Sequence, residues 1–275
     1  MVQIWPARAR FASVTGRETL DTWRAVHTRH FPDLPFDCGN LVDPGVRYCE
    51  DLSDWSHKAT TPDQRRMEHY IDRYDLRQMR ILHVGIGNSS MAQRFHRRIR
   101  EIVGTTIDEP EIRVAQSLGL SNYHPVIQNK YSGVGDAVVG RYNFILDNNP
   151  TSPCCCIRHL AMMLKSYASM LENDGQIVTD RVGLGWIPED ANQRWSFDFK
   201  DLAIVADAAG LSAYRMTRNV YVLSRSMPPA PGLASLTRHI ARRALMLPGQ
   251  IRRNGRRLLR SQLRRMIGAG PAKKR

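Results

Sequence analysis

The chain has 275 residues, a hydrophobic share of 42% and a formal net charge of +14, the profile of a globular protein with one substantial core and appendages. No apolar run reaches the length of a membrane span, and the start MVQIWPARARFASV lacks the basic-then-apolar order of a secretory signal, so the sequence predicts a cytoplasmic protein. Five cysteines, an odd number with three of them adjacent, exclude a regular disulfide framework and predict reduced thiols.

In chain order, residues 1–78 read as a helical cap or lid. TGRETLDTWRAVHTRHF and TPDQRRMEHYIDRY predict helices, the second with Thr61 as its cap and Pro62 just inside. Between them lies an irregular aromatic stretch that holds Trp55 and His57. His57 is a candidate general base if the lid closes over a substrate.

From residue 79 to 226, short apolar runs alternate with helical patterns. MRILHVGIG (79–87), EIVGTTID (101–108), YHPVIQN (123–129), YNFILD (142–147), GQIVTDRV (175–182) and VYVLSRS (220–226) predict strands. SSMAQRFHRRIREI, EPEIRVAQSLGL, PCCCIRHLAMMLKSYASMLEN and DFKDLAIVADAAGL predict the intervening helices. Such alternation implies a mostly parallel sheet covered on both faces.

Ligands of such sheets bind beyond the carboxyl ends of the strands. The first strand ends in His83-Val-Gly-Ile-Gly-Asn-Ser, where Gly85 and Gly87 permit a tight turn and a close backbone approach. The second ends near Asp108, about 20 residues on, the distance at which an acid is expected to hold ribose hydroxyls. Asp147 ends the fourth strand and is followed by Asn148-Asn149-Pro150. Asp180 stands at the end of the fifth.

Together with the turn LENDGQIV and the closing stretch AGLSAYRMTRNVYVL, this order resembles the class I S-adenosylmethionine-dependent methyltransferase family over residues 79–226. The resemblance implies a Rossmann-like three-layer α/β sandwich, a seven-stranded, mostly parallel sheet with an antiparallel last strand, that binds S-adenosylmethionine. By that resemblance Gly85, Gly87 and Asn88 meet the methionine part of the cofactor, with His83 and Ser89 alongside. Asp108, with Glu109, meets the ribose, and Gln128 or Asn129 the adenine. Asp147 and Asn148 face cofactor and acceptor. His83 stands where the family has an acid, and Ser89 where it has a third glycine. Asp147 and Asp180 resemble the paired carboxylates with which some sugar O-methyltransferases hold Mg2+, an ion suited to oxygen ligands. The other reading of Asp147 is a helix cap or a cofactor contact.

Three adjacent cysteines on a helix would point about 100° apart, so Cys154–Cys156 are expected not to converge on one ion, and Cys156 falls on the apolar stripe with Leu160 as a core residue. Pro153-Cys154 departs from the spacing of cytosine-5 RNA methyltransferases, and Asn149-Pro150-Thr151 lacks the second proline and aromatic of amino-group methyltransferases. His159, in the helix, is a further base candidate.

Residues 227–275 form a basic tail: 13 Lys or Arg and no acid, which leaves 27 basic against 26 acidic residues in the rest. Leu233, Leu236, Ile240, Ala244 and Leu247 share one helical face opposite Arg238 and Arg242. Ile251, Leu258, Leu259 and Met266 face away from Arg253, Arg256, Arg260 and Arg264. Two such stripes predict a peripheral contact of residues 233–267 with an anionic membrane surface. The expectation from sequence is therefore O-methylation of a small-molecule, sugar or lipid-linked hydroxyl at the inner membrane face. The alternatives are an RNA methyltransferase that uses the tail on phosphates, and a non-catalytic cofactor-fold protein.

Overall fold

The computed structural model describes residues 17–39, 55–132, 138–151, 154–186 and 195–229. The tail from residue 230 on, with its predicted stripes, lies outside them, as do Cys49 and Pro153. Two compact units divide the chain, Met1–Ile71 with Leu76–Pro229, and Asp72–Asp75 with Ala230–Arg275. Of the second unit only residues 72–75 are described; the sheet and its helices belong to the first.

The described strands are β1 (Arg80–Val84), β2 (Glu101–Thr106), β3 (Tyr123–Ile127), β4 (Tyr142–Asp147), β5 (Leu171–Asp180), β6 (Ser212–Arg215) and β7 (Val220–Ser224). They form one sheet in the order β3-β2-β1-β4-β5-β7-β6. β1 pairs in parallel with β2 and β4, while β7 runs antiparallel to both β5 and β6. The inner strands β1, β2, β4 and β7 are buried nearly throughout, as their largely apolar sequences predict, whereas the edge strands β3 and β6 keep exposed positions.

Helices cover both faces. On one, α1 (Arg17–His30), α5 (Ile157–Met170) and α7 (Phe199–Ala208) pack Trp23, Leu160, Leu164, Leu202 and Val205 into a core with Leu82, Ile145 and Ile177. Fully burying one such leucine contributes roughly 1.5–3 kcal/mol. On the other face α2 (Pro62–Ile71), which starts at Pro62 as expected, lies against β5 and β7. α3 (Ser90–Phe95) and α4 (Glu109–Ser117) come after β1 and β2. Within the residues 1–78 predicted as a cap, the described helices α1 and α2 pack against the layers of the sandwich.

Three local readings change. The helix expected over SSMAQRFHRRIREI stops at Phe95, with a 3-10 turn at His96–Arg98. There the Asn122 amide donates to the His96 and Ile99 carbonyls, 2.8 Å each, so that the chain can turn back to pair β2 with β1. The turn LENDG lies within β5 as an irregularity between its pairings with Tyr142 and Phe144. A β-carbon at Gly175 would sit 2.7 Å from the Tyr142 carbonyl oxygen, which is why glycine stands there. Finally, α5 begins only at Ile157. Cys156 is its N-cap, with extended backbone (φ −163°, ψ 162°), so Cys154–Cys156 precede the helix.

Candidate functional site

The strand order reverses between β1 and β4, and the crevice beyond their carboxyl ends is where such sheets bind ligands. Val84, the last residue of β1, lies level with Thr105 on one side and Asp147 on the other. The turn after it is pinned by Gly85 N–H and Ile86 N–H, which both donate to the Thr105 carbonyl at 2.8 and 3.2 Å. Gly85 has φ +73°, and a β-carbon there would meet nothing within 4 Å. Its left-handed backbone and the open space above it make the cradle that a ligand lying against the main chain needs.

Gly87 also has positive φ, +49°, and a β-carbon on it would lie 3.6 Å from that of Trp55. Ser89 keeps a left-handed conformation (φ 55°) where the family's third glycine is expected, the sole non-glycine among the described residues to do so. Its hydroxyl is buried and pairs with Tyr123 Oη at 3.0 Å. The Asn88 amide donates to Lys58 O (2.7 Å) and its Oδ1 accepts from Ser90 N–H (3.0 Å). The Asn88 and Ser89 side chains therefore hold the turn, and what they leave for a ligand there is backbone.

His83 is 2% exposed, and neither ring nitrogen has a hydrogen-bond partner. Burial alone pushes its pKa down to about 4, so the ring is neutral where the family has a charged acid.

A carboxylate does serve this turn, but from α4. Glu111 accepts from Gly87 N–H (3.2 Å) and from the Thr106 hydroxyl (2.6 Å), and burial raises its pKa. Sequence reasoning missed it, although Asp108-x-x-Glu111 has the spacing of a capping box. In the structure Asp108 makes no side-chain cap, and Glu111 reaches back to the glycine turn instead. Asp108 is half-buried and Glu109 exposed beside it. After β3, Gln128 and Asn129 are half-buried; Gln128 Nε2 donates to Asn129 O (2.9 Å), and Asn129 Oδ1 accepts from Tyr131 N–H (3.0 Å).

At the end of β4, Asp147 is 1% exposed and already partnered. Lys130 Nζ lies 3.0 and 3.2 Å from its two oxygens, Tyr167 Oη donates to Oδ2 at 2.9 Å, and Asn149 N–H to Oδ1 at 3.1 Å. Asp180 is fully buried, held by Arg66 through two bonds of 2.8 Å, and caps the short α6 (Arg181–Leu184) by accepting from Val182 N–H. The bond to Asp180 raises the Arg66 pKa further. Asn148 bonds Asp63 of α2, while its Oδ1 is buried without a partner. α2 thus spans the edge, reaching Asn148 with Asp63, Asp180 with Arg66 and Gln176 with Tyr70.

These pairings bear on Mg2+. Each acid expected to ligate it has both oxygens engaged by its own protein cation, Lys130 for Asp147 and Arg66 for Asp180, and a dication would have to displace both. The Asp147–Asp180 pair does not fit a metal. Nor is Asp147 a free base.

His159 does not open onto the crevice. It is buried, and its Nδ1 faces the sulfurs of Cys38, Cys155 and Cys156. The expectation that the cysteines cannot converge assumed a helix; two of the three converge because the backbone there is not helical. His57 is exposed, in the same segment as Trp55. Lys58 Nζ stands 4.2 Å from the centre of the Trp55 ring.

No protein-family model matches the chain, and neither does any curated protein sequence. Solved structures do resemble it. A TehB-like S-adenosylmethionine-dependent methyltransferase from Corynebacterium glutamicum is 16% identical, with a TM-score of 0.47, over 66% of this chain and 98% of its own. DesVI from Streptomyces venezuelae is 12% identical, TM-score 0.46, over 66% and 96%. A further such methyltransferase from Aquifex aeolicus is 11% identical, TM-score 0.44, over the same shares. By its strand order, its antiparallel β7 and its glycine turn at the switch point, the chain has the Rossmann-like fold of the class I S-adenosylmethionine-dependent methyltransferases.

Proposed function

We propose that the chain is an S-adenosylmethionine-dependent methyltransferase that methylates a hydroxyl of a small-molecule, sugar or lipid-linked acceptor by in-line transfer. The observation that carries this reading is Gly85, left-handed and open above, at the β1–β4 switch point and bonded to the end of β2, the strand that leads into Asp108 and Glu109. A backbone cradle next to carboxylates suits a ligand with an amino-acid end and a ribose. The bound cofactor would supply an already activated methyl on a sulfonium.

The chain's own residues then have modest work. The Gly85–Gly87 turn, braced by Glu111, holds the cofactor's amino-acid end. Asp108 and Glu109 take ribose hydroxyls, and Gln128 and Asn129 line the adenine side. Alignment of acceptor oxygen, methyl and sulfur with water excluded supplies much of the acceleration. A hydroxyl acceptor also loses a proton. Of the three bases considered, Asp147 is ion-paired and His159 faces thiols, which leaves His57, two residues beyond the Trp55 that lies against Gly87.

The apolar stripes of residues 233–267 favour an acceptor at an anionic membrane surface, since phosphate binding alone would not need them. Among the described residues no helix is long and apolar enough to cross a membrane. The attachment proposed is peripheral because the stripes of residues 233–267 each have a basic side opposite the apolar one.

Titration calorimetry with S-adenosylmethionine tests the cofactor, and mass shifts of candidate acceptors incubated with labelled cofactor test the transfer. Binding followed by a labelled hydroxyl product supports the reading; no heat of binding overturns it. A salt series against anionic vesicles and against RNA separates the acceptors. Tight RNA binding without vesicle binding would favour an RNA methyltransferase instead.

A further inference from the structure

Cys38, Cys155, Cys156 and His159 each direct one donor atom to a common point, all four atoms lying within 4.8 Å of one another. The Sγ–Nδ1 distances are 3.4 Å from Cys38, 3.1 Å from Cys155 and 3.0 Å from Cys156. Hydrogen bonds to the ring cannot account for all three sulfurs. Imidazole Nδ1 has either one lone pair or one N–H, so it serves one thiol, not three. We propose that these four residues are a structural zinc site.

The chemistry fits the ion. Three thiolates and one imidazole are a recurrent closed, tetrahedral zinc set, and soft sulfur ligands select against Mg2+ and Ca2+. With Zn–S at about 2.3 Å and Zn–N at about 2.0–2.1 Å, the donors of a tetrahedron stand roughly 3.4–3.8 Å apart. The observed atoms need to move by less than about an ångström to meet that. His159 Nε2 is buried with no hydrogen-bond partner, so all the polar interactions of the ring are at Nδ1, the nitrogen that faces the sulfurs.

The scaffold delivers the ligands. Cys156 is the N-cap of α5, and His159 lies in its first turn. The next two amides are closed by the segment that carries Cys38: Ile157 N–H donates to Pro35 O at 3.0 Å, and Arg158 N–H to Phe36 O at 2.9 Å. Arg158 Nη1 also pairs with Asp37 Oδ2 at 2.5 Å, and Asp37 Oδ1 accepts from Gly39 N–H at 2.9 Å. The segment from Pro35 to Gly39 is therefore laid across the start of α5 with Cys38 in its middle. Three thiolates with one neutral imidazole carry a net charge of −1 around Zn2+. The positive end of α5's dipole and the Arg158 guanidinium lie beside that charge. Binding releases the thiol protons to solvent and involves no redox step. Four protein donors leave no open position, so the ion fastens the Cys38 segment to α5. This role stands whether or not the methyl-transfer reading holds.

The test uses the full chain, purified under reducing conditions and reloaded with zinc chloride. The expected result is one tightly held zinc per chain, lost to a strong chelator with a lower thermal midpoint. Cobalt in its place should show the thiolate charge-transfer and intense d–d absorption of a tetrahedral site. Cys38→Ser, at an exposed position that leaves the core intact, and Cys155→Ser should each weaken zinc binding at least about tenfold. Cys154→Ser should hold zinc as the parent does, because the Cys154 thiol instead donates to Cys156 O at 3.2 Å. A chain that takes up no stoichiometric zinc, or a Cys38→Ser variant that binds it as tightly as the parent, overturns the proposal. So does a disulfide among Cys38, Cys155 and Cys156 that survives in the chain purified without reductant and excludes the metal.

Discussion

Lys130 Nζ stands 3.0 Å from Oδ1 and 3.2 Å from Oδ2 of Asp147, and this ion pair closes the carboxyl end of β4 beneath the crevice. Both side chains are almost wholly buried, at 12% and 2% exposure. Tyr167, its pKa raised by burial and by the nearby Asp147 charge, stays protonated and donates to the same carboxylate. Truncating Lys130 would leave a buried carboxylate unpaired. Lys130→Met is expected to cost roughly 3–5 kcal/mol in urea unfolding, and Lys130→Met with Asp147→Asn clearly less than the sum of the two single changes. Additive losses would show that the pair is not coupled.

Magnesium independence is expected from the two ion pairs. With Asp147 held by Lys130 and Asp180 by Arg66, millimolar Mg2+ should neither raise the thermal midpoint nor change methyl transfer to a hydroxyl acceptor. Arg66→Met should destabilise by up to about 3–5 kcal/mol, because it strands the fully buried Asp180. A metal-dependent rate in the parent chain would contradict the carboxylate geometry.

Acid sensitivity should arise at His83. Its folded pKa, about 4, lies below the ordinary 6.5, so the unfolded chain takes up the proton first as pH falls. The stability tied to this lowered pKa is complete above pH 6.5 and is lost progressively toward pH 4, about 2 kcal/mol of it between pH 7 and 5. His83→Leu should remove that slope, since it leaves no ring to protonate. At pH 7 it should be as stable as the parent or more so, for it also deletes two unpaired buried nitrogens. Urea midpoints at pH 7 and pH 5 for both chains give the answer.

Gly85→Ala separates backbone cost from ligand exclusion. A left-handed alanine costs roughly 1–2 kcal/mol of stability, and its methyl enters the open space over the turn. Gly210, in the turn after α7, has nearly the same φ (+77°) and equally open surroundings. Both alanine variants should lose similar stability, but only Gly85→Ala should weaken S-adenosylmethionine binding, by about tenfold or more in calorimetry. Equal affinities would remove the turn from the cofactor site.

Six of the seven strands, their mostly parallel order and the glycine turn were legible in the sequence because they rest on local signals, whereas the short, half-exposed edge strand β6 was not marked by an apolar run. Short, largely apolar runs such as RILHV and YNFIL read as inner strands by their length and flanking turn residues, and glycine alone adopts φ +73° without strain. Even the substitution at Ser89 did not alter the left-handed conformation its position requires. Which charges meet was not local. Asp147 and Asp180 looked like two free acids at neighbouring strand ends until α2 and the turn after β3 brought Arg66 and Lys130 to them. The cysteines show the same limit more sharply. A helix drawn one turn too early sent the three thiols apart, whereas in the fold the N-cap sits at Cys156 and Cys38 arrives from 121 residues before His159. Periodicity reports which face a residue occupies; only tertiary packing decides which distant donor or charge stands opposite it.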